Sequence, residues 1–492
     1  MPAYLDAVLA GLATDPDRVA LVRGQRRITA GEAFGSAHRM AFALRDLGAR
    51  RGGRVAHLVR NTPEAVLARL GTQLAGACYA GLHPKFGARE HADTLTRLAP
   101  DVVVADPSLA DRAAEALARA DVPARMAVLG SAGFTVESSR HEPEFRCPAG
   151  PDDLALITFT SGSTGPAKGV PHTHAHAAEF HAASRVLLGT GPRRYLTTMP
   201  LSVLSGENVY WALAEGGSAV LHDHHDPDEV VRAVRDHGVT HIFEVLDNHA
   251  RMWRHPEFPA GGGSLRQLAY GGLRTPRPLI EEALRHLDCD LLQTYGLWET
   301  GFITALSPAA HRTGDPDVLG SAGTPVPGVR VEVRDDAGDR LPPGEIGQVW
   351  VHHPARLTAY WGGEPIGTDG WLRTGDLGSV DGYGYLTLTG REDDSANVAG
   401  YVVHPAQVED LLRTHPSVRE AAVLAAPGPA GEQLHAVVVA DPPVPAAELQ
   451  ELVRRELSPI HRPTTVEFRA ALPRTPSGKP DKQRLRPADP TD

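Results

Sequence analysis

Two hydrophobic rhythms alternate along the N-terminal third of the chain. RVALVRG and RRIT read as a short hairpin with polar residues at its turn. Thr29 and Glu32 then make a capping-box pattern ahead of AFGSAHRMAFALRDLGA, which predicts a helix start. RVAHLV and DVVVAD are short apolar runs, the signature of strands buried on both faces. Residues 62–77 carry the period of an amphipathic helix. The alternation returns between Tyr195 and Leu292, where LTTMPL, SAVLHD, THIFEVL, LRQLAYGG and CDLLQTYG are predicted strands with helices between them. Strands separated by helices predict βαβ units and a mostly parallel sheet covered on both sides.

After Gly320 the pattern changes. VRVEVRDD, GQVWVHH and GYLTLTG are short alternating runs punctuated by Gly, Pro and Asp, which predict a smaller antiparallel sheet or barrel. Beyond GREDD, helices are predicted in VHPAQVEDLLRTHPSV and AAELQELVRREL, and strands in REAAVLAAP and EQLHAVVVAD. This tail of about 100 residues is the size of one small α+β domain. The expected fold class is α/β, with a large N-terminal domain of helix-covered parallel sheets plus a small β-barrel, and a small α+β C-terminal domain.

Charge narrows the choice of partner. Lys plus Arg number 49 against 60 Asp plus Glu, a formal net charge of −11 over 492 residues. That balance argues against nucleic acid or an anionic membrane, while leaving room for a local basic pocket. No apolar run approaches the ~20 residues of a membrane span, and the first residues carry no basic leader. A cytoplasmic protein is expected. Cys78, Cys147 and Cys289 form no CxxC pair and are expected to be small buried hydrophobes. His172, His174 and His176 alternate, and His222, His224 and His225 cluster. Neither group has a second ligand pair at a convincing spacing, so zinc is not expected.

The stretch LALITFTSGSTGPAKGVPHTH, residues 154–174, holds the most chemistry. An apolar strand runs straight into a loop of small and hydroxyl residues that ends in Lys168. Small residues let backbone N–H groups converge on phosphate oxygens, and Thr160, Ser161, Ser163 and Thr164 add hydroxyl donors. The pattern GxxxxGK[ST] is absent, so this is not a Walker A loop.

TSGSTGPAKG resembles the phosphate-loop motif of the adenylate-forming superfamily of acyl- and aryl-CoA synthetases, peptide-synthetase adenylation domains and luciferases. The resemblance continues in YGLWET (295–300), GWLRTGDLG (370–378), GREDDSANVAGYVVHP (390–405) and PRTPSGKPDK (473–482), in the family's order across nearly the whole chain. It implies attack of a carboxylate on the α-phosphate of ATP, giving an acyl-adenylate and pyrophosphate. Catalysis of that step is mainly positioning and electrostatics.

The resemblance implies a role for each matching residue. Thr160, Ser161, Ser163, Thr164 and Lys168 hold the β- and γ-phosphates. Glu299 helps bind Mg²⁺, a hard ion that prefers oxygen ligands. Tyr295 stacks on adenine, and Gly271 and Gly272 allow close backbone approach to it. Asp376 accepts hydrogen bonds from the ribose hydroxyls, and Arg391 reaches ribose or phosphate. Lys479, on the C-terminal tail, bridges the α-phosphate and the incoming carboxylate. Asp393 is the hinge residue. The implied domains are 1–390 for ATP and substrate, a hinge at 391–394, and a mobile lid at 395–492 carrying the catalytic lysine.

Several positions depart from the family pattern. Trp298 stands where a hydroxyl residue is usual, and Ser202 and Val203 replace an aromatic-His pair near the acid pocket. His353 replaces a glycine, and Asn397 stands where many members have Lys. The presumed pocket strand THIFEVLDNHARM is polar, with Glu244, Asp247, Asn248 and His249, and Glu207 and Asn208 add to it. A fatty-acid tunnel is apolar, so the substrate expected is a small aromatic or polar carboxylic acid. The acceptor expected is the thiol of CoA or of a carrier protein's phosphopantetheine. The resemblance also extends to a branch of specialised metabolism, the diazotases, which adenylate nitrite and couple it to an aryl amine; Val203, Trp298 and the polar pocket suit that chemistry as well.

Overall fold

The computed structural model describes the whole chain except residues 137–143, 161–167, 355, 364, 368, 395, 399–400, 429–430, 476–478 and 487–492. Two large sheets form the body of the protein. One has nine strands and the other six, and most neighbours in each are parallel. The hairpin of Val19–Arg23 with Arg26–Thr29 closes one edge of the nine-stranded sheet. The helix Ala30–Asp46 begins where the capping box places it. Glu32 N donates to Thr29 Oγ1 at 3.2 Å, and Thr29 N donates to Glu32 Oε2 at 2.8 Å.

A single apolar core joins the two sheets. It takes Leu21, Tyr195 and Ala219 from one sheet, Val55, Tyr79 and Val102 from the other, and the helices Ala3–Ala13, Ala30–Asp46, Pro63–Leu74 and Leu204–Ala214 between them. The outer face of the nine-stranded sheet is covered by the helices Pro227–His237, Leu246–Trp253 and Arg277–His286. The outer face of the six-stranded sheet is covered by Ala88–Leu98 and Ala110–Ala120. The helix expected over 62–77 runs from Pro63 to Leu74 and is buried on every side, with Arg69, Thr72 and Gln73 enclosed in the core. Its polar stripe therefore meets protein rather than water.

The region after Gly320 forms an antiparallel sheet of four strands in the order Arg330–Arg334, Gly347–His352, Trp371–Val380 and Leu386–Arg391. Among the described residues this is the antiparallel sheet that the alternating runs predict, with an open strand order rather than a closed barrel. The C-terminal domain is a separate five-stranded sheet. Its hairpin Val418–Gly428/Gly431–Ala440 and the helices Pro405–Arg413 and Ala446–Glu456 share a core of their own. The fold is α/β, a large N-terminal domain with parallel sheets followed by a small C-terminal domain.

Candidate active site

Open α/β sheets offer ligands a crevice at the carboxyl ends of their strands. Here the ends of Leu154–Thr160, Gln267–Gly271 and Asp290–Leu297 carry the residues singled out in the sequence. Leu154–Thr160 pairs antiparallel with Lys168–Thr173, and Thr160 lies opposite Lys168. Ser161, Ser163 and Thr164 fall between them, outside the described residues, as does the side chain of Thr160.

At this end of the crevice Lys168 and Glu299 meet through a residue the sequence reading missed. Lys168 Nζ lies 5.0 Å from the centroid of the Tyr360 ring, a cation–π distance. Tyr360 Oη donates to Glu299 Oε1 at 2.9 Å. Burial first, and then the Glu299 carboxylate, push the Tyr360 phenol well above its usual range, so it stays a donor. The backbone holds both partners: Leu357 N donates to Glu299 O at 2.6 Å, and Trp361 N donates to Gly169 O at 2.8 Å. The aromatic pair YW just ahead of two glycines was the available signal.

The other end is built on backbone. Gly271 pairs with Thr294 on the neighbouring parallel strand. A Cβ on Gly271 would sit 2.4 Å from Thr294 O, so no side chain fits, and Gly272 follows with φ +79°. This leaves a bare edge that a flat group can approach. Tyr295 comes next along the strand, and its Oη donates to Asp376 Oδ2 at 2.6 Å. Burial and the adjacent carboxylate hold the Tyr295 phenol well above its ordinary range. Asp376 lies opposite Arg391 in the antiparallel register, and Arg391 Nη1 donates to Asp376 Oδ1 at 3.3 Å. Asp376 N donates to Thr374 Oγ1 at 3.0 Å.

Lys479 reaches the same place from the C-terminal domain. Its carbonyl accepts from Thr475 N at 2.7 Å, and a bridge from Arg474 to Pro480 closes the turn that carries it. The side chain keeps solvent contact. Desolvation by the cleft walls, then repulsion from Arg391, lower its ammonium pKa, and attraction to Asp376 opposes them. Tyr295, Asp376, Arg391 and Lys479 thus form one electrostatic group drawn from three parts of the chain. Asp393 belongs to the turn Glu392–Asp394, and its side chain lies outside the described residues.

The residues proposed for the acid pocket separate into distinct settings. Val203 is half-buried and precedes the helix Leu204–Ala214. Glu207, in that helix, is enclosed: it accepts from Tyr4 Oη at 2.9 Å and pairs with Arg69. Arg69 in turn lies 4.5 Å and 4.6 Å from the ring centroids of Tyr79 and Tyr210. A lone Arg in an apolar helix was the sign that a buried acid had to exist. Asn208 Nδ2 donates to Tyr195 Oη at 3.2 Å. Glu244 collects three neighbours: the Thr198 hydroxyl, Asn248 Nδ2 and, at 3.0 Å, His225 Nδ1. Burial raises its pKa, but His225, His249 and Thr198 outweigh that and hold it below the usual carboxylate value. The sequence counts His249 among the polar residues of this pocket but does not assign His225 to it. Asp247 is exposed. Trp298 meets His172 edge-on at 6.0 Å between ring centroids, and burial pulls the His172 pKa down to about 4.

The described residues contain no group of three His, Cys, Asp or Glu side chains placed to hold a metal. A divalent ion at Glu299 would therefore take most of its ligands from phosphate and water. That arrangement fits Mg²⁺, which keeps its waters, and does not fit an all-protein cage.

Residues 10–361 match the AMP-binding enzyme family, and residues 407–479 match the AMP-binding enzyme C-terminal domain. The chain is 36% identical to a fatty acid–[acyl-carrier-protein] ligase, ScoC, of Streptomyces coeruleorubidus, over 68% of this chain and 67% of that protein. It is 33% identical to a feruloyl-CoA synthase of an Amycolatopsis species over 94% of each. Among solved structures, the amide bond synthetase McbA from Marinactinospora thermotolerans superposes with a TM-score of 0.89 at 35% identity, covering 98% of both chains. No helix among the described residues is long and apolar enough to cross a membrane.

Proposed function

The chain belongs to the AMP-binding enzymes, and from that premise we propose that it activates a small aromatic or polar carboxylic acid as its acyl-adenylate and then transfers the acyl group to the thiol of CoA or of a carrier protein. In the first step a carboxylate oxygen bonds to the α-phosphorus of ATP, and the bond to the bridging oxygen breaks as pyrophosphate leaves. The observation that supports this reading is the convergence of Lys479, Arg391, Asp376 and Tyr295 on one end of the crevice, with Lys168, Tyr360 and Glu299 at the other. Each end has a task. Lys168 serves the outer phosphates. Asp376 offers acceptor oxygens for the ribose hydroxyls, and the bare edge at Gly271–Gly272 receives the base. Lys479, beside Asp376 and Arg391, would offset the negative charge that grows on the α-phosphoryl oxygens. Mg²⁺, when bound at Glu299, would supply further neutralisation of phosphate charge. Residues 1–390 carry the nucleotide and acid sites, and residues 395–492 deliver the lysine about a hinge at 391–394.

The acid is read from the polar wall. Glu244 is held ionised with His225 and Asn248, an environment hostile to a long alkyl chain. A hydroxyl- or amine-bearing aryl acid suits it. For the acceptor, the likeness to a carrier-protein ligase and a CoA synthase supports a thiol. The likeness to an amide bond synthetase over 98% of both chains supports a second reading in which an amine takes the acyl group. The deciding experiment is a product-resolved assay by mass spectrometry: ATP with a panel of aryl and polar acids, with CoA, a phosphopantetheinylated carrier protein or amines. Acid-dependent pyrophosphate release is expected, and its absence across the panel overturns the proposal. A parallel arm with nitrite and an aryl amine tests the diazo-forming alternative, which requires nitrite-dependent AMP and no use of CoA.

A further inference from the structure

The loop leaving strand Gln267–Gly271 faces the helix Pro405–Arg413 of the C-terminal domain across a cleft of about 260 Å³, lined among others by Pro276, Pro278, Leu411 and Thr414. An ion pair crosses it: Arg274 Nε lies 2.7 Å from Asp410 Oδ2. Asp410 has a second, looser partner in its own helix, Arg413 at 3.7 Å. The neighbouring carboxylate, Glu409, turns the opposite way. It accepts from Val423 N at 2.8 Å and pairs with Lys482 Nζ at 2.9 Å. Lys482 also binds Asp394, in the turn that joins the two domains. Lys482 follows Lys479 by three residues, and Asp481 N donates to Pro473 O at 2.8 Å, closing the base of the same turn.

These contacts form a line. Arg274 stands in the loop three residues beyond Gly271, the last residue of the strand that forms the base-binding edge. Asp410 and Glu409 are consecutive on one helix, and Lys482 fixes the turn that presents Lys479 to Asp376 and Arg391. We propose that Arg274 is a positioning residue for Lys479: its ion pair with Asp410 docks the C-terminal domain in the arrangement that makes the adenylate, and must open before that domain can turn. This inference rests on the reading of Lys479 given above. The pair adds nothing to either apolar core, since it spans the gap between them. Its contribution therefore falls on the relation between domains rather than on the folding of either.

The test uses the full-length chain with ATP and compares Arg274→Ala, Asp410→Asn and the charge-swapped double variant Arg274→Asp/Asp410→Arg. Hydrogen exchange of residues 405–413 and 271–276 is expected to rise at least fivefold in each single variant. Exchange in the strand Val418–Gly428 should not change, and the swapped pair should return to within twofold of the parent. With the acid and acceptor identified by the product assay, Arg274→Ala is expected to slow pyrophosphate release about tenfold, while transfer starting from the preformed adenylate keeps or exceeds the parent rate. Unchanged exchange, equal slowing of both steps, or a swapped pair no better than the singles overturns the proposal. Lys479→Ala is run alongside. If it leaves pyrophosphate release intact, the reading of the lysine fails. If it abolishes release while Arg274→Ala behaves as the parent, only the docking role fails.

Discussion

The protein contains the same trio twice: a carboxylate, an arginine and a tyrosine. Glu207 pairs with Arg69 and accepts from Tyr4. Asp376 pairs with Arg391 and accepts from Tyr295. The acids are similarly buried, but the arginine side chain is 3% exposed in the first trio and 49% exposed in the second. The first is sealed by Tyr79 and Tyr210 and has no remaining face for a ligand. The second opens onto the crevice and receives Lys479 as a further cation. Identical chemistry is architecture where the arginine is enclosed, and a site where it still meets water.

The contrast can be broken most sharply at Arg69. Arg69→Ala strands Glu207 in the core and is expected to cost about 3–5 kcal/mol of stability, read from urea unfolding. ATP affinity of the folded fraction should be unchanged. A loss of less than about 1 kcal/mol would mean that the enclosed trio is not structural.

Acid should act on imidazoles that burial keeps neutral. Burial holds the rings of His249 and His172 neutral, with pKa values lowered to about 4, against an unfolded value of 6.5. The unfolded chain therefore binds protons that the folded chain refuses. Stability is complete above about pH 6.5 and falls as pH drops toward about 4, on the order of 1 kcal/mol per pH unit for each such ring. Melting temperatures measured from pH 7.5 to pH 4.5 should decline steadily. A flat profile would contradict the burial of these rings.

At the open trio the expected loss is in binding. Asp376→Asn should weaken ATP by about 1.5–3 kcal/mol, roughly tenfold to a hundredfold, with melting temperature nearly unchanged. Equal losses of stability and affinity would erase the distinction between the two trios. The smallest effect is expected at Tyr360→Phe. It removes one hydrogen bond to Glu299, worth about 1 kcal/mol or about fivefold in kcat/KM for pyrophosphate release.

The local and periodic parts of this architecture were legible in the sequence. The capping box at Thr29 and Glu32, the hairpin before it and the parallel strands all fall where the pattern puts them. The placement of Lys479 near Asp376 follows from motifs more than a hundred residues apart, and no local rhythm could reveal it. The helix at Pro63–Leu74 shows the converse. Its period suggests a wet face, yet Arg69, Thr72 and Gln73 are enclosed. The reason is partners from other elements, Glu207 for Arg69, His57 for Thr72 and the Ala155 carbonyl for Gln73, and periodicity cannot report a partner. Tyr360 and His225 were missed for the same reason. Each gains its role from a residue on another element: Glu299 for Tyr360, and Glu244 for His225.

The short run from Leu357 to Trp361 has a mechanical meaning. One end is hooked to Glu299, at the end of a strand of the nine-stranded sheet, and the other to Gly169, in the six-stranded sheet. The indole N–H of Trp361 is pinned to Arg97 O as well, at 3.0 Å. The separation between the lysine and the carboxylate at that end is consequently metered by a counted number of peptide units, a ruler stretched between two rigid plates. Lengthening the ruler by a single residue, up to about 3.6 Å of reach, would retune that gap without altering any charged group.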